Sequence, residues 1–325
     1  MIAYLIRRIL YAIPILIGVS LLTFTLFFVV NTPDDMARMQ LGIKRVTPDA
    51  IEKWKQQHGY NKPLFFNRET SGVGKLTDTI FWQKSAGMFI LDFGYSDDGR
   101  NISREIQTRM GPSLEIALPT FLLGLAVSIT FALLFAMFRA TLLDSMGVTL
   151  CVVLMSISSL FYIIGGQFVV SKLWNLVPIS GYDGGINGFK FVILPIVIGV
   201  AGGFGASTRW YRTIFLEEIG KDYVRTARAK GLSEVRVLFR HVLKNAMIPI
   251  LTGVVAVIPL LFMGSLISES FFGIPGLGSY TIDAIHAQDF GIVHAMVFLG
   301  SALYIVGLIL TDISYTMVDP RVRLS

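Results

Sequence analysis

Apolar residues in this chain gather into long unbroken runs, not strand-like alternation. Six stretches carry almost no charge: residues 9–30, 116–138, 145–171, 191–208, 246–268 and 291–311. Each meets or nearly meets the roughly 20 apolar residues that a helical span needs. Within hydrocarbon, only helices and closed barrels satisfy every backbone N–H and C=O, and these runs do not resemble barrel strands. The pattern predicts an all-α polytopic membrane protein with six transmembrane helices. Pro14, Pro119, Pro195, Pro249 and Pro259, with Gly165, Gly166, Gly202, Gly203 and Gly205, mark expected kinks or close helix contacts.

Two long polar intervals divide the chain into residues 1–30 (amino end and first span), 31–115 (an insertion) and 116–325 (spans two to six). The insertion holds a helix signal, with Thr47 as N-cap, Pro48 at the first position and Gly59 at the end. Phe93-Gly94-Tyr95-Ser96 reads as a turn, and 101–109 as a second short helix ending at Gly111-Pro112. Such a small cap either docks a delivery protein or packs on the bundle.

The second polar interval, residues 209–245, joins spans four and five. Leu216, Ile219, Tyr223 and Ala227 recur at spacings of three or four and predict one short helix. Gly231 interrupts, where a residue of positive φ reverses the chain. Beyond it Val235, Leu238, Phe239, Val242 and Leu243 form a second apolar stripe, with Glu234, Arg236, Arg240 and Lys244 between them. Two helices meeting at a basic corner suit a groove in another protein, or the surface of an anionic bilayer.

Composition agrees with the hydropathy pattern. The 325 residues are 53% hydrophobic and only 15% charged, with a mean hydropathy of +0.64. The short-loop basic residues are distributed unevenly. Arg7, Arg8, Arg139, nine in the 209–245 interval, Arg321 and Arg323 share one side, against Lys172 and Lys190 on the other. That asymmetry places both termini in the cytoplasm and residues 31–115 outside it. The pI near 9.4 follows from this excess and needs no nucleic acid. The first apolar run is longer than a signal-peptide core and lacks a small-residue cleavage site, so it reads as a retained anchor.

Candidate catalytic chemistry is sparse. Gly72-Val73-Gly74-Lys75 lacks the first glycine of a phosphate loop at the required spacing. His58, His241, His286 and His294 are scattered and Cys151 stands alone, so no metal site or disulfide is expected. A proton-coupled secondary transporter would need an ionisable relay at mid-membrane, whereas Glu115 and Asp312 sit at span ends. Tyr162, Gln167 and Tyr304 are the polar side chains within spans that either line a path or bond between helices. Residues 270–280, with Phe271, Phe272, Pro275 and Gly276, form a short re-entrant turn that either gates the outer mouth or packs as a loop.

Tyr223-Val224-Arg225-Thr226-Ala227-Arg228-Ala229-Lys230-Gly231-Leu232 resembles the coupling loop of permeases in ATP-binding-cassette importers, in the dipeptide, oligopeptide and nickel branch. Arg7-Arg8-Ile9-Leu10, Ile13-Pro14, Gly18-Val19-Ser20-Leu21-Leu22-Thr23-Phe24, Phe93-Gly94-Tyr95-Ser96, Ile274-Pro275-Gly276-Leu277-Gly278 and Asp319-Pro320-Arg321-Val322-Arg323 extend the likeness over nearly the whole chain. The chain departs from the general pattern at Arg225-Thr226-Ala227, where other branches have Glu-Ala-Ala, and at Asn31-Thr32-Pro33-Asp34-Asp35, where Gly-Asp-Pro is common.

The resemblance implies a type I importer permease in a bacterial inner membrane, working by alternating access. Its implied partners are a homologous second permease, two ATPase subunits that use ATP and magnesium, and an extracytoplasmic solute-binding protein. Tyr223, Arg225, Thr226, Ala227, Arg228, Ala229, Lys230, Gly231 and Leu232 would meet the ATPase, and this chain would bind no cofactor itself. Di- and oligopeptides are the expected cargo, with nickel chelates, glutathione or oligosaccharides as alternatives.

Overall fold

The computed structural model describes residues 2–30, 32–42 and 47–318. Asn31 and the terminal motif from Asp319 to Arg323 lie outside the described residues. Regular structure among the described residues is helical, apart from one isolated bridge between Tyr95 and Asn101.

Five helices are long and apolar enough to cross a membrane: Tyr4–Phe28, Ile102–Met137, Phe189–Ile219, Glu234–Met263 and Phe290–Ser314. The remaining predicted span is a pair, Leu142–Ser156 and Ser159–Leu173, bent by 87° at Ile157 and Ser158. The break lies ahead of Gly165 and Gly166, the expected kink or close contact of this span, and Gly166 sits at a close contact, where a Cβ would overlap the Ile198 side chain. The Tyr162 hydroxyl donates to the Leu154 carbonyl at 2.9 Å and satisfies an acceptor near the break.

Several helices overrun their apolar stretches. The helix Ile102–Met137 passes through Gly111 and keeps Pro112 and Pro119 inside it, so no separate 101–109 helix exists. Each proline removes one i→i−4 bond without ending the helix, because flanking turns hold it.

The chain divides into two compact units, one of Met1–Thr108 with Thr281–Ile305 and one of Arg109–Tyr280 with Val306–Leu324. In the first, helices Pro33–Leu41 and Pro48–His58 follow the amino-terminal helix. Thr32 and Asp35 form a reciprocal capping box, and Thr47 caps the second helix, which ends on a left-handed Gly59. Phe24, Phe28, Met36, Ile51, Trp54, Tyr60 and Ile80 make this unit's core.

In the second unit, small residues let helix backbones approach. A Cβ on Gly205 would overlap the Cys151 carbonyl, one on Gly147 the Phe135 ring, and one on Gly199 the Thr120 side chain. Close approach of this kind is how helices associate where lipid removes the hydrophobic drive between them. One core gathers Ala132, Leu133, Phe215, Val224, Val237, Leu238, Val242 and Ile250, and another Ile116, Ile163, Val192, Ile196, Phe272 and Ile274.

Candidate functional site

The interval from Arg209 to Asn245 contains a shorter elbow than its polarity suggested. The helix Phe189–Ile219 continues unbroken past Arg209, so Leu216 and Ile219 belong to the end of the fourth span and not to a separate arm. The turn falls at Gly220 and Lys221. Buried Glu218 organises it, with the Lys221 ammonium at 2.5 Å and the Tyr223 hydroxyl donating at 2.7 Å. Burial, with the neighbouring Glu218 carboxylate, pushes the Tyr223 hydroxyl up to about 12, so it stays protonated as that donor.

A short helix, Asp222–Ala229, then lies across the second unit's core through buried Val224 and Ala227. It ends in a paired-bond cap. Gly231 has φ +76°, its N–H donates to the Arg228 carbonyl at 2.9 Å, and the Leu232 N–H donates to the Ala227 carbonyl at 3.4 Å. These are the two bonds of a Schellman motif, and Leu232 packs on the same core as Ala227, the apolar contact that goes with it. Arg228 forks onto Glu234 across the corner, Nε to Oε1 at 2.7 Å and Nη2 to Oε2 at 3.1 Å.

Arg225, Thr226, Arg228, Ala229, Lys230 and Gly231 are left exposed, Tyr223 and Leu232 are half-buried, and Ala227 is buried. The resulting surface is a cationic knuckle on an apolar footing. Beyond it, Glu234–Val237, a π-helical turn Leu238–Val242 and Leu243–Val257 run on as one span. The expected stripe is therefore redistributed. Val237, Leu238 and Val242 are buried, while Val235 and Phe239 are exposed, because a wide i→i+5 turn rotates the register that 3.6 spacing assumes.

An ion pair missed in the sequence ties this helix extension to the third span. Arg212 donates through Nε and Nη2 to both oxygens of buried Asp144, at 2.8 and 2.7 Å. The Ala140 N–H also donates to Asp144, at 3.1 Å. A carboxylate at the head of an apolar helix demands a cation, and Arg212 was the available signal.

The in-span polar residues separate on inspection. Tyr162 lines a cavity of about 490 Å³ with Ser159, Gly199, Gly202, Gly203, Gly264, Ser265 and Ser268. A second cavity of about 310 Å³ shares Gly199, Gly264, Ser265 and Ser268 and adds Thr120 and Glu269. Gln167 donates to the Ile179 and Phe271 carbonyls at 3.0 and 3.1 Å instead of lining either space. Tyr304, in the other unit, is 55% exposed on its helix.

In the region read as an outer gate, Phe271 and Pro275 are exposed, whereas Phe272 is 1% exposed within a core and Gly276 is buried. Glu269, 1% exposed, holds this region together. It accepts from the N–H groups of Ser265 at 2.9 Å, Gly278 at 2.7 Å and Ser279 at 3.2 Å. Ser113, also bonded to this carboxylate, accepts from the Leu277 N–H at 2.8 Å. A Cβ on Gly264 or Gly276 would occupy the carboxylate's place, so both glycines are required by close approach.

Of the groups at span ends, Glu115 accepts the Tyr182 hydroxyl at 2.9 Å. Burial, with the Glu115 charge, pushes that hydroxyl up to about 12. Buried His294 shares a hydrogen bond with Ser20 at 3.0 Å.

Six candidate spans, an exposed cationic elbow and glycine-lined cavities fit a multi-pass membrane permease subunit. The chain belongs to the family of binding-protein-dependent transport system inner membrane components, which it matches over residues 100–324. Residues 1–91 match the N-terminal region of the same transport components.

Among similar proteins, the dipeptide transport system permease protein DppB of Escherichia coli (strain K12) is 29% identical over 99% of both chains. The oligopeptide transport system permease protein AppB of Bacillus subtilis (strain 168) is 30% identical over 99% of this chain and 100% of its own. A putative peptide transport system permease protein of Brucella abortus (strain 2308) is 30% identical over 99% of both chains.

Proposed function

We propose that this permease imports di- or oligopeptides as one of two homologous membrane subunits, driven by two cytoplasmic ATPase subunits and supplied by an extracytoplasmic solute-binding protein. Full-length similarity to dipeptide and oligopeptide permeases supports the cargo. Positively charged short loops support cytoplasmic termini and an insertion on the opposite side. Without a phosphate loop, the chain leaves ATP and magnesium to its partners.

The observation that carries the reading is the elbow: Arg225, Thr226 and Arg228 to Gly231 stand exposed while Val224 and Ala227 anchor it to the core shared by spans two, four and five. A push on the knuckle moves packed helices as bodies, since interiors at crystal-like density deform little. ATP-driven closure of the motors carries the elbow inward, and the bundle responds by changing which side its cavities face. The coupling rests on each ligand favouring a different state. Tyr162, with Ser265 and Ser268, lines the path in this scheme; Phe271 and Pro275 stand at its outer mouth.

Uptake by the assembled importer in proteoliposomes tests the cargo. ATP-dependent accumulation of labelled di- and oligopeptides supports it. Accumulation of oligosaccharides, nickel chelates or glutathione in place of peptides would replace it. Uptake by this chain alone, driven by a pH gradient, would make it a secondary transporter.

A further inference from the structure

Residues 80–91 read Ile-Phe-Trp-Gln-Lys-Ser-Ala-Gly-Met-Phe-Ile-Leu, an apolar run with one charge, bounded by Asp78 and Asp92. An apolar run of about 10–14 residues is too short to span and is the length of re-entrant or interfacial segments. Here it forms a helix, Ile80–Ser85, and a 3₁₀ turn, Ala86–Ile90.

Two helices of the same unit measure its depth. The amino-terminal helix carries no charge between Arg8 and Asp34, and Leu22, Leu26 and Val30 stay exposed along it, so its Val30 end marks the edge of hydrocarbon. Ser20 lies ten residues before Val30, about 15 Å along the axis at the helical rise. Its hydroxyl donates to Ser85 Oγ at 3.0 Å. The helix Phe290–Val318 starts beside Phe27, with ring centroids 5.0 Å apart, and Phe298 on it meets the edge of Phe89 at 5.2 Å. Phe298 is eight residues past Phe290, about 12 Å further in. Both rulers place Ser85 to Phe89 below the Val30 edge.

The one cation of the run follows the same direction. Lys84 turns its ammonium back over the Tyr60 ring, 5.0 Å from the centroid, into the field of Asp97 and Asp289. That is the behaviour of a snorkelling lysine. At the bottom of the dip the backbone is bonded: Leu91 N–H to the Met88 carbonyl at 3.1 Å and Asp92 N–H to the Gly87 carbonyl at 3.0 Å. The Ser103 hydroxyl donates to the Leu91 carbonyl at 3.0 Å. A non-spanning segment survives in lipid only with its backbone satisfied in this way.

Ile80 and Met88 face the protein, while Ile90 is 79% and Leu91 61% exposed. We propose that residues 80–91 dip into the leaflet at the Val30 end of the first helix, where Ile90 and Leu91 contact lipid acyl chains and anchor the insertion in the bilayer. The lipid face of the first helix, already bare and apolar at Leu22, Leu26 and Val30, gives this surface its solvent.

Spin labels at Ile90→Cys and, separately, Leu91→Cys, in a Cys151→Ala background, test this in the assembled importer in nanodiscs, with Asp98→Cys as the water reference. The expected result is faster relaxation by oxygen than by a water-soluble nickel chelate at 90 and 91, and the reverse at 98. Chelate access at 90 and 91 equal to that at 98 would overturn the dip. Shielding of both labels from oxygen and chelate alike would overturn lipid as the occupant in favour of a protein neighbour.

Discussion

Arg228 and Glu234 face each other across the Gly231 turn and close it with a two-point guanidinium–carboxylate fork. Both side chains are largely exposed, so the fork adds little stability, about 0–1 kcal/mol for a surface pair. Its effect is on shape: two parallel bonds fix the angle at which the short helix meets the fifth span. Glu234→Gln is expected to leave thermal unfolding of the purified importer unchanged within a degree or two and to lower ATP-driven uptake several-fold. A parallel loss of folded protein would make the fork structural instead.

Gly231 occupies φ +76°, where a Cβ costs about 1–2 kcal/mol in left-handed backbone. Gly231→Val or Gly231→Pro is expected to abolish ATP-driven uptake while membrane insertion survives, measured by flotation and by transport in proteoliposomes. Undiminished uptake in both variants would remove the elbow from the transport cycle.

Asp144 and Arg212 form the second unit's buried fork, and removing one partner strands the other charge, a loss of about 3–5 kcal/mol for a fully buried pair. Arg212 keeps some solvent contact, so Asp144→Asn is expected near the lower end. A double-mutant cycle with Arg212→Met, followed by thermal unfolding in detergent, should show the pair recovering much of the single-variant loss.

Glu269 satisfies three backbone N–H groups at the turn between spans five and six. Leaving buried donors without an acceptor costs about 1–3 kcal/mol each. Glu269→Ala is expected to lower the unfolding temperature markedly and to raise hydrogen exchange at Gly278 and Ser279. Unchanged exchange at those amides would contradict the assignment.

Asp97 in the insertion is raised to about 6, by burial first and then by the Asp289 charge. A carboxyl raised in the folded state favours folding while protonated. Its contribution is complete below the ordinary aspartate range near 4 and disappears as pH rises through about 6. Hydrogen exchange in residues 79–101 should therefore quicken between pH 4.5 and 7, beyond the intrinsic rate change, and Asp97→Asn should flatten that step. The same step in the variant would assign it elsewhere.

The spans and the elbow were legible for a local reason. Unbroken apolar length reports a helix in lipid directly, and the left-handed turn at Gly231 needs only its own neighbours. Boundaries were harder to read. Hydropathy ends the fourth span at Thr208, yet backbone bonding and a core contact at Phe215 carry the helix to Ile219. Around the π turn at Leu238–Val242 the stripe counted at 3.6 residues per turn held at Leu238, Val242 and Leu243 and lost Val235 and Phe239 to the surface.

Glu269 was passed over because its partners are backbone amides about ten residues on and Ser113 in another span. A lone carboxylate among Gly264, Gly276 and Gly278 was its only local signal. Phe272 shows the limit of local pattern: its place in a Gly- and Phe-rich turn allowed either a gate or loop packing, and its side chain lies in the core with Ile116 and Ile163.

Crosslinking from the knuckle addresses the central claim most directly. Ala229→Cys and Lys230→Cys, carrying a short photo-activated crosslinker in the assembled importer in native-like membranes, should each yield an adduct with the ATPase subunit, and its yield should change when ATP is added. Adducts with phospholipid alone, with or without ATP, would contradict the account.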